Sequence, residues 1–243
     1  MEIAEVESFA VSIPLDEPVS FATRTVEERD HAITYVRTAD GIEGLGYTLG
    51  YGGAGLVADA VTDVLAPMVE GEDPRDTERL WREMFDGTVQ IGRKGAILRA
   101  IAVVDIALWD LAGKLLDVPT YQLLGGKYRD EVRIYCDLHA GEAYAVDTGY
   151  TEYGEEESYT PAAYAETAEQ AVELGFDAIK FDLDTPTDNE PDPFNGRLSA
   201  ADVEDKREIV AAVDEAVPDE VEVAFDCHWD YSLDAAKRLA RAL

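Results

Sequence analysis

Asp226-Cys227-His228 closes the apolar segment Val221 to Phe225 and sets a carboxylate and an imidazole two residues apart. Positions two apart on a strand share a face, so Asp226 and His228 are expected to project together, with Cys227 opposite. A carboxylate at the end of a parallel strand can bind Mg2+ through oxygen. An imidazole beside it can exchange a proton near neutral pH. The plainer alternative is an acid capping the next helix and a histidine bonded within a loop. Lys180-Phe181-Asp182 repeats the pattern, with Lys180 and Asp182 on one face and Phe181 turned towards helices. Here the alternative is a structural ion pair. If the two segments are neighbouring parallel strands, both charged pairs reach one rim of the sheet.

Other polar residues carry less chemistry. Asp105 lies among Val103, Val104 and Ile106, which predicts a buried carboxylate making a structural contact between domains. His139 follows a strand and His31 opens one, and both read as structural. Tyr144, Tyr150, Tyr153 and Tyr159 suit a loop covering apolar surface. Cys136 and Cys227 lack any metal or redox spacing and are expected as free thiols.

The elements that must position these groups change character along the chain. Ile3 to Ile13 alternates as a half-buried strand, and the polar stretch 15–30 reads as a loop. Ala32 to Thr38 and Ile42 to Tyr47 form a hairpin about Asp40-Gly41. Helices are predicted over Leu56 to Val69, from Asp73-Pro74 to Phe85, and over Lys94 to Leu116. In the last, Ile97, Ile101, Val104, Leu108, Leu111 and Leu115 line one face. Beyond Gly126, strands (132–138, 176–181, 221–225) alternate with helices (160–174, 202–217, 232–243), which predicts a parallel sheet with right-handed crossovers.

Charge narrows the setting. Fifty-two acidic residues face 20 basic ones, for a net charge of −32 dispersed along the chain. That surface suits strong salt, where the Debye length falls to roughly 3 Å at 1 M and self-repulsion is screened. No basic stripe is present to neutralise phosphates, so nucleic acid is disfavoured as a partner. No apolar run is long enough for a membrane span, and the N-terminus lacks a signal-peptide pattern, so a soluble, cytoplasmic protein is expected.

The run Ala100-Ile101-Ala102-Val103-Val104-Asp105-Ile106-Ala107-Leu108-Trp109-Asp110-Leu111-Ala112-Gly113-Lys114, followed by Pro119 and Leu123-Leu124-Gly125-Gly126, resembles the signature of the mandelate racemase and muconate lactonizing group of the enolase superfamily. The resemblance implies an α+β capping domain, 1–126, followed by the first three βα units of a modified (β/α)8 barrel, 127–243, with the barrel incomplete in this chain. It implies Mg2+ held by carboxylates at the ends of the third, fourth and fifth barrel strands. Asp226 matches the first of these ligands. Lys180 matches the first lysine of the family's second-strand Lys-x-Lys motif, and Asp182 departs from it. His228 resembles the general acid of sugar-acid dehydratases of the gluconate and galactonate type. The loops carrying Phe21, Thr23 and Arg24, and Tyr47 and Tyr51, resemble those that close over substrate.

The implied reaction removes the proton beside a carboxylate, gives an enediolate stabilised by Mg2+, and expels the β-hydroxyl as water to yield a 2-keto-3-deoxy acid. Asp182 near Lys180 would raise the lysine pKa, which favours an electrostatic role for Lys180 over that of base. A late-strand His–Asp pair is then the expected base. Racemisation or cycloisomerisation is the alternative within the family, and a catalytically inactive fragment is the alternative outside it. A small sugar acid is the expected partner, with homo-oligomerisation or completion by a missing C-terminal segment.

Overall fold

The computed structural model describes residues 1–21, 24–138, 159–184, 196–228 and 230–243. They divide into two units, one of residues 1–16 with 28–130 and the other of 17–27 with 131–243.

The first unit is built on a three-stranded sheet in the order β1 (Ile3–Phe21), β2 (Arg24–Thr38), β3 (Glu43–Leu49). β2 pairs antiparallel with β3, from His31 opposite Leu49 to Arg37 opposite Glu43. Gly41 takes a positive φ of 84° in the connecting turn, as the Asp-Gly pair predicts. Burial alternates along β2, so that Asp30, Ala32, Thr34, Val36 and Thr38 face inwards. The expected loop over 15–30 is corrected: β1 runs on to Phe21 and β2 starts at Arg24. Strand pairing needs only backbone groups, and a strand without an apolar face leaves no period in the sequence. His31 therefore sits inside a strand and does not open one.

The helix expected over 56–69 is three pieces: α1 (Ala54–Ala60), a π-helical turn (Val61–Leu65) and α2 (Ala66–Val69). Pro67 explains the interruption. It has no N–H, and its ring would press on the carbonyl of Asp63 in an unbroken α-helix. α3 (Thr77–Thr88) starts after Asp76, three residues later than expected. Asp73 does not cap it, because its carboxylate accepts from the Arg75 backbone N–H at 3.0 Å and from Arg75 Nε at 2.9 Å.

α4 (Ala96–Leu116) carries the signature run. Ile101, Val104, Leu108 and Leu111 are fully buried, and Ala100, Val103 and Ala107 widen the apolar face. Asp117 ends the helix in a left-handed conformation before Val118-Pro119 and α5 (Thr120–Leu123). α4 lies directly on β3. A Cβ at Gly44 would strike the carbonyl oxygen of Ala107, and one at Gly46 that of Val103. Asp110 bridges the same pair, accepting from the Leu45 backbone N–H at 2.8 Å and from Lys114 Nζ at 2.7 Å. Asp105 is half-buried, and burial raises its pKa to about 6 even though Trp109 donates a hydrogen bond to it.

The second unit holds a parallel sheet in the order β4 (Cys136–Leu138), β5 (Ala178–Asp182), β6 (Glu222–Asp226). Helices α6 (Pro161–Glu173), α7 (Ala200–Ala216) and α8 (Leu233–Ala242) alternate with these strands. Thr160 and Ser232 cap α6 and α8 through the backbone N–H groups of Ala163 and Ala235. Ser199 and Asp202 form a capping box, which starts α7 two residues before the expected position. The first strand is shorter than expected. Val132, Ile134 and Tyr135 are exposed, and pairing begins only at Cys136. Cys136 and Cys227 are both free thiols. Among the described residues, no helix is long and apolar enough to cross a membrane.

The β3–α4 contact leaves no room for a side chain, and the obstacle is backbone. Gly46→Ala should therefore destabilise the protein by about 1–3 kcal/mol. Thermal unfolding followed by circular dichroism checks this, and a melting temperature equal to that of the unaltered protein would show that the helix can retreat freely.

Candidate active site

β5 sets the phase of the site. Phe181 is fully buried, with its ring 5.1 Å from Tyr164 and 6.1 Å from Phe225. Lys180 and Asp182 consequently belong to the opposite face. The parallel register places Lys180 beside Asp137 of β4 and Asp182 beside Asp226 of β6.

Lys180 Nζ lies 2.9 Å from Asp137 Oδ1 and 3.7 Å from Asp226 Oδ2, with the Tyr135 ring centroid at 5.6 Å. Partial burial pulls its pKa down, but the hydrogen bond and charge of Asp137, with a smaller part from Asp182, carry it above its ordinary value. Asp226 Oδ1 accepts from the His228 backbone N–H at 2.7 Å. That bond, helped by the charges of His228 and Lys180 against the opposing effect of burial, holds the Asp226 pKa low.

His228 reaches the cluster by a route different from the one expected. The strand ends at Asp226, and His228 stands beyond it with a left-handed φ of 43°. A turn closed by Asp226 brings the imidazole round, in place of strand alternation. Its Nδ1 lies 3.0 Å from Asp184 Oδ2, and the Asp184 side chain is only 3% exposed. With the Asp184 carboxylate as acceptor, Nδ1 is the donor in this pair, and the contact sets the direction of the ring. Asp226 does not cap α8, a task that falls to Ser232.

Asp182, Asp184 and His228 each bring a ligand atom within 4.8 Å of the others, a spacing that could hold a metal ion. Asp226, the expected metal ligand, is not one of these three. The two carboxylates are hard oxygen donors of the kind Mg2+ takes, and they fit that ion where the imidazole nitrogen does not.

Tyr47 and Tyr51 belong to the first unit. Tyr47 is 64% exposed and its ring centroid is 6.3 Å from that of His31. Tyr51 has a left-handed φ of 54°, and Arg99 stacks over its ring at 4.6 Å. Asp30 holds this loop: its carboxylate accepts from the backbone N–H groups of Gly52 and Ala54, both at 2.8 Å. Burial works against the charge on Asp30, but the backbone hydrogen bonds outweigh it and its pKa falls. Phe21 ends β1 and Arg24 opens β2, and their side chains lie outside the described residues. Thr23, His139, Tyr144, Tyr150 and Tyr153 lie wholly outside them.

Three residues of these networks escape a reading of the sequence. Asp184 continues the alternation of Lys180 and Asp182 and would have been found by extending the strand by two residues. Asp137 follows from the same alternation on β4. Asp30 leaves no signal, because its partners are backbone groups of a distant loop.

Residues 3–125 match the N-terminal domain of mandelate racemase / muconate lactonizing enzyme, and residues 163–243 match the enolase C-terminal domain-like family. The chain belongs to the mandelate racemase and muconate lactonizing enzyme family. It is 45% identical over 210 residues to a D-xylonate dehydratase of Haloferax volcanii, spanning 86% of this chain and 46% of that protein. It is 30% identical over 230 residues to an arabinonate dehydratase of Saccharolobus solfataricus, spanning 94% of this chain and 54% of the relative. A crystal structure of a mandelate racemase/muconate lactonizing enzyme-like protein from Rubrobacter xylanophilus aligns with a TM-score of 0.77 at 37% identity, over 99% of this chain and 57% of the other. The chain spans about half the length of the curated relatives it matches. Its architecture is the family's N-terminal capping domain with a partial, barrel-like parallel sheet.

Asp30→Ala removes an acceptor from one buried backbone donor, Ala54, and one part-buried one, Gly52, which should cost about 1–2 kcal/mol near neutral pH. A carboxylate with a depressed pKa stabilises the fold fully above its ordinary value of 3.8 and loses that contribution as pH falls through the folded value. The gap between Asp30→Ala and the unaltered protein should therefore narrow on acidification. Urea unfolding at a series of pH values measures it, and a gap that widens towards low pH would contradict the assignment.

Proposed function

We propose that the protein is a Mg2+-dependent sugar-acid dehydratase, which removes the proton beside a carboxylate and releases water to give a 2-keto-3-deoxy acid. The observation that carries this reading is His228, held by Asp226 through its backbone and by Asp184 through its ring, just beyond the end of the strand next to the one carrying Lys180. Mg2+ prefers oxygen, so Asp182 and Asp184, whose ligand atoms lie within 4.8 Å of one another, are assigned to hold it and His228 to proton transfer, while Asp226, the ligand the family pattern implies, lies outside that group. Bound there, the ion supplies positive charge that eases removal of the proton next to the substrate carboxylate.

Asp184 at Nδ1 leaves Nε2 as the ring atom assigned to donate a proton to the departing β-hydroxyl. Lys180, kept as an ammonium by Asp137, attracts the anionic substrate towards a protein whose net charge is −32 and steadies the developing negative charge. It does not serve as the base in this reading. The base and the remaining carboxylate ligands are proposed to come from further strands of a (β/α)8 barrel. The dispersed acidic surface supports a salt-adapted protein.

The test is incubation of the full-length protein with a panel of sugar acids in strong salt with Mg2+, with 2-keto-3-deoxy acids as the measured product. Lys180→Met and His228→Asn should each lower turnover about 100-fold or more with the fold retained. Asn suits position 228 because it tolerates the left-handed backbone there. Epimerised or cyclised product without loss of water would replace dehydration by a racemase or cycloisomerase activity. Near-normal turnover in either variant would remove that residue from the chemistry.

A further inference from the structure

Lys206 lies on α7 with 1% of its surface exposed, one of the largest fully buried side chains among the described residues. Packing alone does not call for an ammonium there. A buried charge is expensive unless it is compensated, and a methionine would fill the same space without that cost. Nζ donates to the Leu183 carbonyl at 2.8 Å and sits 5.6 Å from the centre of the Tyr231 ring. The Tyr231 hydroxyl donates to the same carbonyl at 2.6 Å, while the Leu183 N–H donates to the Asp226 carbonyl at 2.7 Å. The two peptide groups that flank Leu183, one joining it to Asp182 and the other to Asp184, are thus both tied down. The Tyr164 hydroxyl adds a fourth tie, to the Asp182 carbonyl at 3.0 Å.

We propose that Lys206 is a positioning residue that fixes Asp182 and Asp184 from beneath the sheet, acting through the Leu183 carbonyl and through its charge opposite the buried Asp184 carboxylate. Burial lowers the Lys206 pKa, and the charge of Asp184, together with those of Asp202 and Asp230, acts against it through space. Asp184 in turn orients the His228 ring. A cation that never meets substrate thereby governs the direction of the proposed general acid and the spacing of the proposed metal ligands. This inference rests on the dehydratase reading for the role of those groups, but not for their placement.

A double-mutant cycle between Lys206→Met and Asp184→Asn tests it, with Mg2+ alone titrated calorimetrically into the full-length protein. Lys206→Met, shown to be folded by circular dichroism, should weaken Mg2+ binding about tenfold. Asp184→Asn should erase most of that effect in the double variant, since coupled neighbours are not additive. Additive losses, or affinity within twofold of the unaltered protein, would overturn the proposal and leave Lys206 a core residue. Lys206→Gln, which keeps a donor but no charge, enters the same cycle if the methionine variant does not fold. If the unaltered protein binds no Mg2+, the metal reading fails. The cycle is then read from the 15N signals of the His228 ring at fixed pH. There, a Lys206→Met shift that persists undiminished in the Asp184→Asn background would still sink the positioning role.

Discussion

The burial of Phe181 between Tyr164 and Phe225 sets everything at the strand ends. A strand has a side-chain period of two, so one buried ring decides which face every neighbour takes. A slip of one residue would press Lys180 and Asp182 into the helical layer and turn Phe181 to the charged face. The in-register pairing of Asp182 with Asp226 then carries the same phase to β6. The chemistry of the site depends on an apolar contact that takes no part in it.

Cations are scarce in this protein, and their use is economical. Arg37 meets Glu5, Glu7 and Glu43, Arg79 meets Glu72, Asp76 and Glu83, and Arg133 meets Asp177 and Glu222. Exposed pairs of this kind contribute little individually, but they gather negative charge that would otherwise repel. Lys180 and Lys206 are different. Lys206 is buried and bonds the Leu183 carbonyl from the helical side, while the part-buried Lys180 meets Asp137 and Asp226 on the charged face. Two of only 20 basic residues are thus committed to one small region.

The parts of the fold legible in the sequence were those with an apolar period or a local cap. The face of α4, the alternation at Lys180-Phe181-Asp182, and the caps Thr160 and Ser232 all depend on neighbours within a turn or two. The parts that were not legible involve partners far along the chain. The extension of β1 and β2 through a polar stretch rests on backbone pairing. The π-helical turn before Pro67 depends on how the helix relieves a backbone clash. Asp30, Asp137 and Lys206 acquire their meaning from groups 22, 43 and 23 residues away respectively.

Residue order was sufficient to bring Lys180 and Asp182 to one side of a strand, because alternation is a property of any extended chain. It also sufficed to mark the family, through one uninterrupted helix. It could not show that His228 leaves its strand and turns back on Asp226, nor that Asp184 waits for the ring. Those meetings require three strands in register and a buried lysine below them. Such register is settled by the packing of side chains far apart in the chain, whose sum of small contacts no local pattern encodes.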